Sequence, residues 1–109
     1  MAKPGDQLQS TLALLILKTL SRGPNHGFGI ALHIEQSSEG LLRVEEGSLY
    51  PALHRLERDK LVSATWKITE NSRRARYYSL TAAGRKRLQA AEEGWTAMAQ
   101  GVANVLRFA

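Results

Sequence analysis

The chain of 109 residues holds one domain's worth of core, with no room for a catalytic domain beside a regulatory one. Its composition, 43% hydrophobic and 23% charged, is that of a folded globular protein, and the lack of cysteine excludes a disulfide scaffold, a thiol nucleophile and a Cys-ligated zinc or iron–sulfur centre. Fifteen Lys and Arg against ten Asp and Glu give a net charge of +5 and a pI near 10.0, which favours a polyanion or an acidic surface as partner.

The first helix is expected to begin at Asp6, with Gln9 completing a capping box, and to stop at Gly23-Pro24. Leu8, Leu12, Leu15, Ile16 and Leu20 mark one face, while Leu14 and Leu17 are apolar on the other. Both faces need cover, and a second subunit contacting Leu12 and Leu15 is the simplest source. The apolar run Leu12 to Leu17 is too short for a membrane span or an export signal, so a cytoplasmic location without membrane contact is expected.

A second helix is expected from an N-cap at Asn25 to Ser37, with Phe28, Ile30, Ala31, Leu32 and Ile34 as its apolar members. Gly27 and Gly29 each cost roughly 1 kcal/mol against Ala inside a helix, which implies tight packing or a frayed first turn. Within the connector that follows, Leu42 and Val44 alternate as a short strand would.

The third helix is predicted over Ser48 to Lys60, with Pro51 placed in the first turn, where a missing N–H is tolerated. Leu49, Ala52, Leu53 and Leu56 share its inner face. Ser48, Pro51, His54, Arg55 and Arg58 share the outer one, with Tyr50 at the boundary. From Val62 to Thr69 the period changes to two, with Val62, Ala64, Trp66 and Ile68 as the expected buried side of a half-buried strand. A polar turn, Glu70 to Arg74, leads to a second strand from Arg76 to Leu80, making a hairpin with a basic tip. Tyr77 and Tyr78 must then face opposite ways, one toward the core.

Thr81 caps a last helix expected to reach Leu106. Along it Leu88, Ala91, Trp95, Met98, Val102 and Val105 follow the alternating three- and four-residue spacing of a dimer seam. Gly94 and Gly101 repeat at seven beside that seam and would let a partner helix approach closely. The expected homodimer interface is therefore Leu12, Leu15, Leu88, Trp95, Met98, Val102 and Val105.

The fold class that follows is mainly α with a small β-wing: a winged helix-turn-helix over 1–81 and a long dimerisation helix over 82–109. Charge fits this plan. Residues 54 to 87 hold ten Lys or Arg against three Asp or Glu, whereas the rest of the chain holds five against seven. The residues expected to meet DNA are Ser48, Tyr50, Pro51, His54, Arg55 and Arg58 on the third helix, and Lys67, Arg73, Arg74 and Arg76 on the ribbon. A two-fold dimer would take a palindromic double-stranded operator.

Three ordered motifs carry a resemblance. His26-Gly27-Phe28-Gly29-Ile30, then Gly47-Ser48-Leu49-Tyr50-Pro51-Ala52-Leu53-His54-Arg55-Leu56-Glu57, then Arg76-Tyr77-Tyr78-Ser79-Leu80-Thr81-Ala82-Ala83-Gly84 resemble the PadR family of bacterial transcriptional regulators. The resemblance implies a homodimeric winged-helix repressor, nucleoid-associated in a bacterial cytoplasm and released from DNA by a small aromatic ligand. The single C-terminal helix resembles the compact subfamily, some of whose members bind planar aromatic compounds beside a Trp on that helix. Trp95, with Met98 one turn on, is the matching ligand contact. The family usually has Gly where Lys60 stands.

No enzyme is expected. His26, His33 and His54 are spread over two helices without metal-ligand spacing, and no GxSxG nucleophile elbow is present. No metal and no cofactor is therefore expected, and His26 reads as a helix-start contact. Two function classes remain open: a ligand-responsive DNA-binding regulator, and a winged-helix dimer that binds protein and is merely basic.

Overall fold

A computed structural model describes residues 4–108, with side chains from Thr11 onward. The elements are α1 (Pro4–Leu20), β1 (Asn25–His26), α2 (Gly27–Ser37), α3 (Glu46–Arg58), β2 (Val62–Ile68), β3 (Arg74–Leu80) and α4 (Ala82–Phe108). Helix α1 starts two residues before the expected Asp6; the Asp6 and Gln9 side chains of the capping box, and Leu8, lie outside the described ones.

The two apolar faces of α1 are explained within one chain. This helix is the centre of the domain, packed by α2, α3, α4 and β3 together, and Leu12, Ile16, Leu17 and Leu20 are all buried there. The expectation that a second subunit covers Leu12 is thus corrected: at 2% exposure it is core, and Leu15 is half-buried against that core. Thr19, a polar residue in this setting, satisfies its hydroxyl by donating to the Leu15 carbonyl at 2.8 Å.

The cap of α2 is His26, not Asn25. Its Nδ1 accepts from the Gly29 N–H at 3.0 Å, the helix-start role expected for it. Asn25 and His26 are drawn into β1 because they pair antiparallel with Tyr78 and Tyr77 of β3, so the sheet order is β1-β3-β2. The short strand expected at Leu42 and Val44 is absent. The Leu42 N–H is taken by the Ser38 hydroxyl at 3.0 Å, and both side chains pack singly on the core. Tight packing does surround the α2 glycines: a Cβ on Gly27 would lie 2.7 Å from the Tyr50 hydroxyl, and one on Gly29 would overlap Asn25.

Helix α3 begins two residues earlier than expected, which puts Pro51 in the second turn. There the missing N–H does remove an intrahelical bond. The helix ends in a reciprocal cap, Leu61 N–H to Leu56 carbonyl at 2.9 Å and Lys60 N–H to Glu57 carbonyl at 3.0 Å, with Lys60 in the left-handed region at φ +60°. A glycine at this position would adopt the same conformation without a Cβ penalty. At the next junction Thr81 joins α4 to the sheet: its hydroxyl accepts from Gly84 N–H at 3.0 Å, and its N–H donates to the Leu61 carbonyl at 3.1 Å.

Candidate nucleic-acid interface

On α3 the amphipathic pattern holds as drawn. Leu49, Ala52, Leu53 and Leu56 are buried, and Pro51, His54, Arg55 and Arg58 are exposed. Ser48 is half-buried, and Tyr50 is exposed beside Gly27 at the start of α2. Arg58 leans on its neighbour Asp59, Nε to Oδ1 at 3.1 Å, an exposed pair too weak to hold the guanidinium back from a phosphate.

The wing is a seven-residue antiparallel ladder from Val62↔Leu80 to Ile68↔Arg74. Its turn closes through Thr69 N–H to the Arg73 carbonyl at 2.7 Å, with Ser72 at φ +59°. Arg73 and Arg74 stand exposed at this tip, and Lys67 lies 5.5 Å from the centre of the Tyr77 ring on the other side of the ribbon. Tyr78 is core and Tyr77 half-buried against the edge of His26, so the two tyrosines divide as expected. Burial pushes the Tyr78 phenol above its ordinary 10.0; the Arg76 guanidinium opposes that rise and Glu57 reinforces it.

Two features of the wing depart from the sequence reading. Trp66 and Ile68, assigned to the buried side of β2, are 57% and 69% exposed, because the ribbon extends past the end of the core. Arg76, expected on the ribbon among the DNA contacts, is half-buried, and its Nη2 donates to Glu57 Oε2 of α3 at 2.6 Å while its Nε has no partner. Arg76 thereby ties the wing to α3. Neither feature was visible in local pattern, since Glu57 and Arg76 are nineteen residues apart and meet only in the tertiary fold.

The residues expected at a dimer seam separate into two groups. Leu88, at 8% exposure, belongs to the edge of the chain's own core. Beyond Ala91 every described residue of α4 is exposed, including Trp95 at 50% and Met98 at 63%, with Val102 and Val105 in the same row. An open groove of about 760 Å³ along α4 is lined by Leu88, Glu92, Thr96 and Gln100 among others, on a face that includes neither Trp95 nor Met98. Lys18 of α1 reaches Glu92 at 3.2 Å and braces the helix where it leaves the domain. Among the described residues no helix is long and apolar enough to cross a membrane, and no group of three His, Asp or Glu is placed to hold a metal.

Comparison with known proteins extends this geometry. A transcriptional regulator from Clostridium thermocellum superposes with a TM-score of 0.82 at 25% identity, covering 91% of this chain and 96% of its own. A PadR-like transcriptional regulator from Bacillus cereus does so with a TM-score of 0.79 at 27% identity, covering 93% of this chain and 96% of its own. An uncharacterized 37.1 kDa protein in a transposon of Streptomyces fradiae is 43% identical over 76 residues, or 70% of this chain, and the chain spans 20% of that protein's length. The fold is the mainly α winged helix with a small sheet and a long last helix, and the family is one of transcriptional regulators rather than enzymes. Residues 16–90, which run from the middle of α1 through the wing into α4, match the model of the Transcriptional regulator PadR-like family, and the chain belongs to that family.

Proposed function

We propose that the chain is a homodimeric, sequence-specific DNA-binding repressor in which α3 enters the major groove and the wing lies on the adjacent backbone or minor groove. The observation that carries this reading is the concentration of exposed cations on two neighbouring elements, Arg55 and Arg58 beside the exposed His54 on α3, and Arg73 and Arg74 at the wing tip. In this reading 1–81 is the DNA-binding unit. Residues 82–109 pair two copies through Trp95, Met98, Val102 and Val105, setting the two α3 helices ~34 Å apart for successive major grooves of a palindromic operator.

Selection from a random duplex pool, followed by anisotropy between 50 and 200 mM salt, tests the proposal. A selected palindrome should bind about a thousandfold more tightly than random duplex, with affinity falling log-linearly with salt. Binding indifferent to salt or to sequence would leave the fold as a basic protein-binding module.

Release by an apolar aromatic ligand at the dimer seam is the second part of the proposal. Two Trp95 rings related by a two-fold axis, flanked by Gly94, Met98 and Gly101, supply a flat, polarizable slot. Such a ligand switches DNA binding only by preferring one spacing of the two α3 helices over another. Quenching of tryptophan fluorescence by planar aromatics, lost in Trp95→Ala and accompanied by weaker operator binding, is the expected result.

A further inference from the structure

The outer half of the wing carries two large apolar side chains that the domain leaves uncovered. Alternation along the ladder puts Val62, Ala64, Trp66 and Ile68 of β2 on one face, together with Leu80, Tyr78, Arg76 and Arg74 of β3. At the base this face is core, since Val62 and Tyr78 are both 2% exposed. Four residues beyond the half-buried Ala64, about 13 Å at strand rise, Ile68 stands clear of the domain. The same face looks toward α3, because Arg76 in its middle reaches across to Glu57.

One cation on this face, Arg74, is held against an apolar side chain. The Arg74 guanidinium stacks over the Trp66 ring at 4.7 Å from its centre, and Arg74 pairs across the ladder with Ile68. Around this face Arg73 and Arg74 are exposed at the tip, with Lys67 on the opposite side of the ribbon, against Glu70, while Arg76 is already paired with Glu57. An apolar patch rimmed by one sign of charge is poorly matched to a protein surface of mixed charge. It is well matched to a nucleic-acid groove, whose rims are phosphates and whose walls are deoxyribose.

We propose that Trp66, Ile68 and the stacked Arg74 form a wedge that enters the minor groove of duplex DNA beside the segment read by α3. With α3 filling the major groove, a ribbon on its flank meets the neighbouring minor groove, roughly 6 Å wide and 7.5 Å deep, which admits a strand edge and extended side chains. Arg74 reads the negative potential of a narrow A·T-rich groove. Trp66 and Ile68 pack on the sugar walls and favour steps that open easily. This inference rests on the DNA-binding reading above and adds to it the residues and the groove through which flanking sequence is sensed.

The experiment uses the full chain and a selected operator duplex, with Trp66→Ala, Trp66→Phe and Arg74→Ala compared by anisotropy across the same salt range. Trp66→Ala should weaken binding about tenfold with the salt slope unchanged, because an apolar contact releases no counterions, and Trp66→Phe should recover most of the loss. Arg74→Ala should weaken binding and lower the slope by about one. Operator binding should shield the Trp66 share of the fluorescence, read as the difference between the parent and Trp66→Phe, from acrylamide. A folded Trp66→Ala that binds as tightly as the parent, or a Trp66 equally quenchable in the complex, overturns the wedge while leaving the DNA-binding reading intact. Concentration-dependent self-association that Trp66→Ala abolishes, with DNA affinity unchanged, also overturns it and assigns the patch to a second copy. Failure of the parent protein to bind any duplex overturns both.

Discussion

Replacing Gly84 by Ala sets two physical effects of opposite sign against each other. Gly84 lies in the first turn of α4, and helix propensity alone would reward the change by about 1 kcal/mol. The packing opposes it: a Cβ would overlap the Leu61 carbonyl oxygen and lie 2.8 Å from Leu80 Cδ1. That carbonyl is held in place, since it accepts from the Thr81 N–H at 3.1 Å and shares the Thr81 hydroxyl, 3.0 Å away, with the Lys60 carbonyl at 2.8 Å. Overpacking costs about 1–3 kcal/mol and loosening of the Thr81 cap about 1 kcal/mol more, so after the propensity gain the variant should lose about 1–3 kcal/mol. At roughly 5 °C per kcal/mol for a chain of this size, the unfolding midpoint should fall by about 5–15 °C. Circular dichroism at 222 nm on heating measures it. A midpoint at or above that of the parent would show that α4 is not seated on Leu61 as described.

Lys60→Gly should stabilise the chain by about 1 kcal/mol in urea denaturation, because φ +60° costs a side-chain-bearing residue what glycine does not lose. Gly101→Ala meets nothing within 4 Å in its own chain, so the helix gains; if a partner helix approaches there, sedimentation should nevertheless show a dimer about tenfold weaker. Glu57→Gln should cost about 1–2 kcal/mol by urea denaturation, since it leaves the half-buried Arg76 guanidinium without its counter-charge. Because the folded state raises the Tyr78 pKa, its contribution to stability is complete below pH 10 and is lost as pH rises through the higher folded value. Tyr78→Phe should therefore lose less stability than the parent as pH is raised above 10 in chemical denaturation.

Features set by local chemistry were legible in the sequence: the amphipathic split of α3, the Thr81 cap and the division between Tyr77 and Tyr78. What failed to show was the extent of the core. Period two marks Trp66 and Ile68 as sharing a face with Val62, but not that the protein beneath that face ends near Ala64. In the same way, apolar residues all round α1 signal two covered faces without saying whether α2, α3 and α4 or a second subunit covers them. β1 is two residues long and held by pairing with Tyr77 and Tyr78, too short for any periodicity to register. The Arg76–Glu57 pair looked like one cation and one anion in an exposed, charged region, and only the fold reveals that they neutralise each other.

The uncovered stretch of α4 also bears on how such a protein would respond to its own abundance. The segment from Glu92 to Phe108 is about 25 Å of exposed helix interrupted by Gly94 and Gly101. An isolated helix of that length is marginal in water. If pairing supplies its cover, ordering this segment and joining two copies are a single equilibrium, whose position depends on protein concentration. Occupancy of a two-fold site would then climb more steeply than in proportion to copy number. A cell could therefore obtain a threshold response from synthesis and dilution alone, before any small molecule is involved.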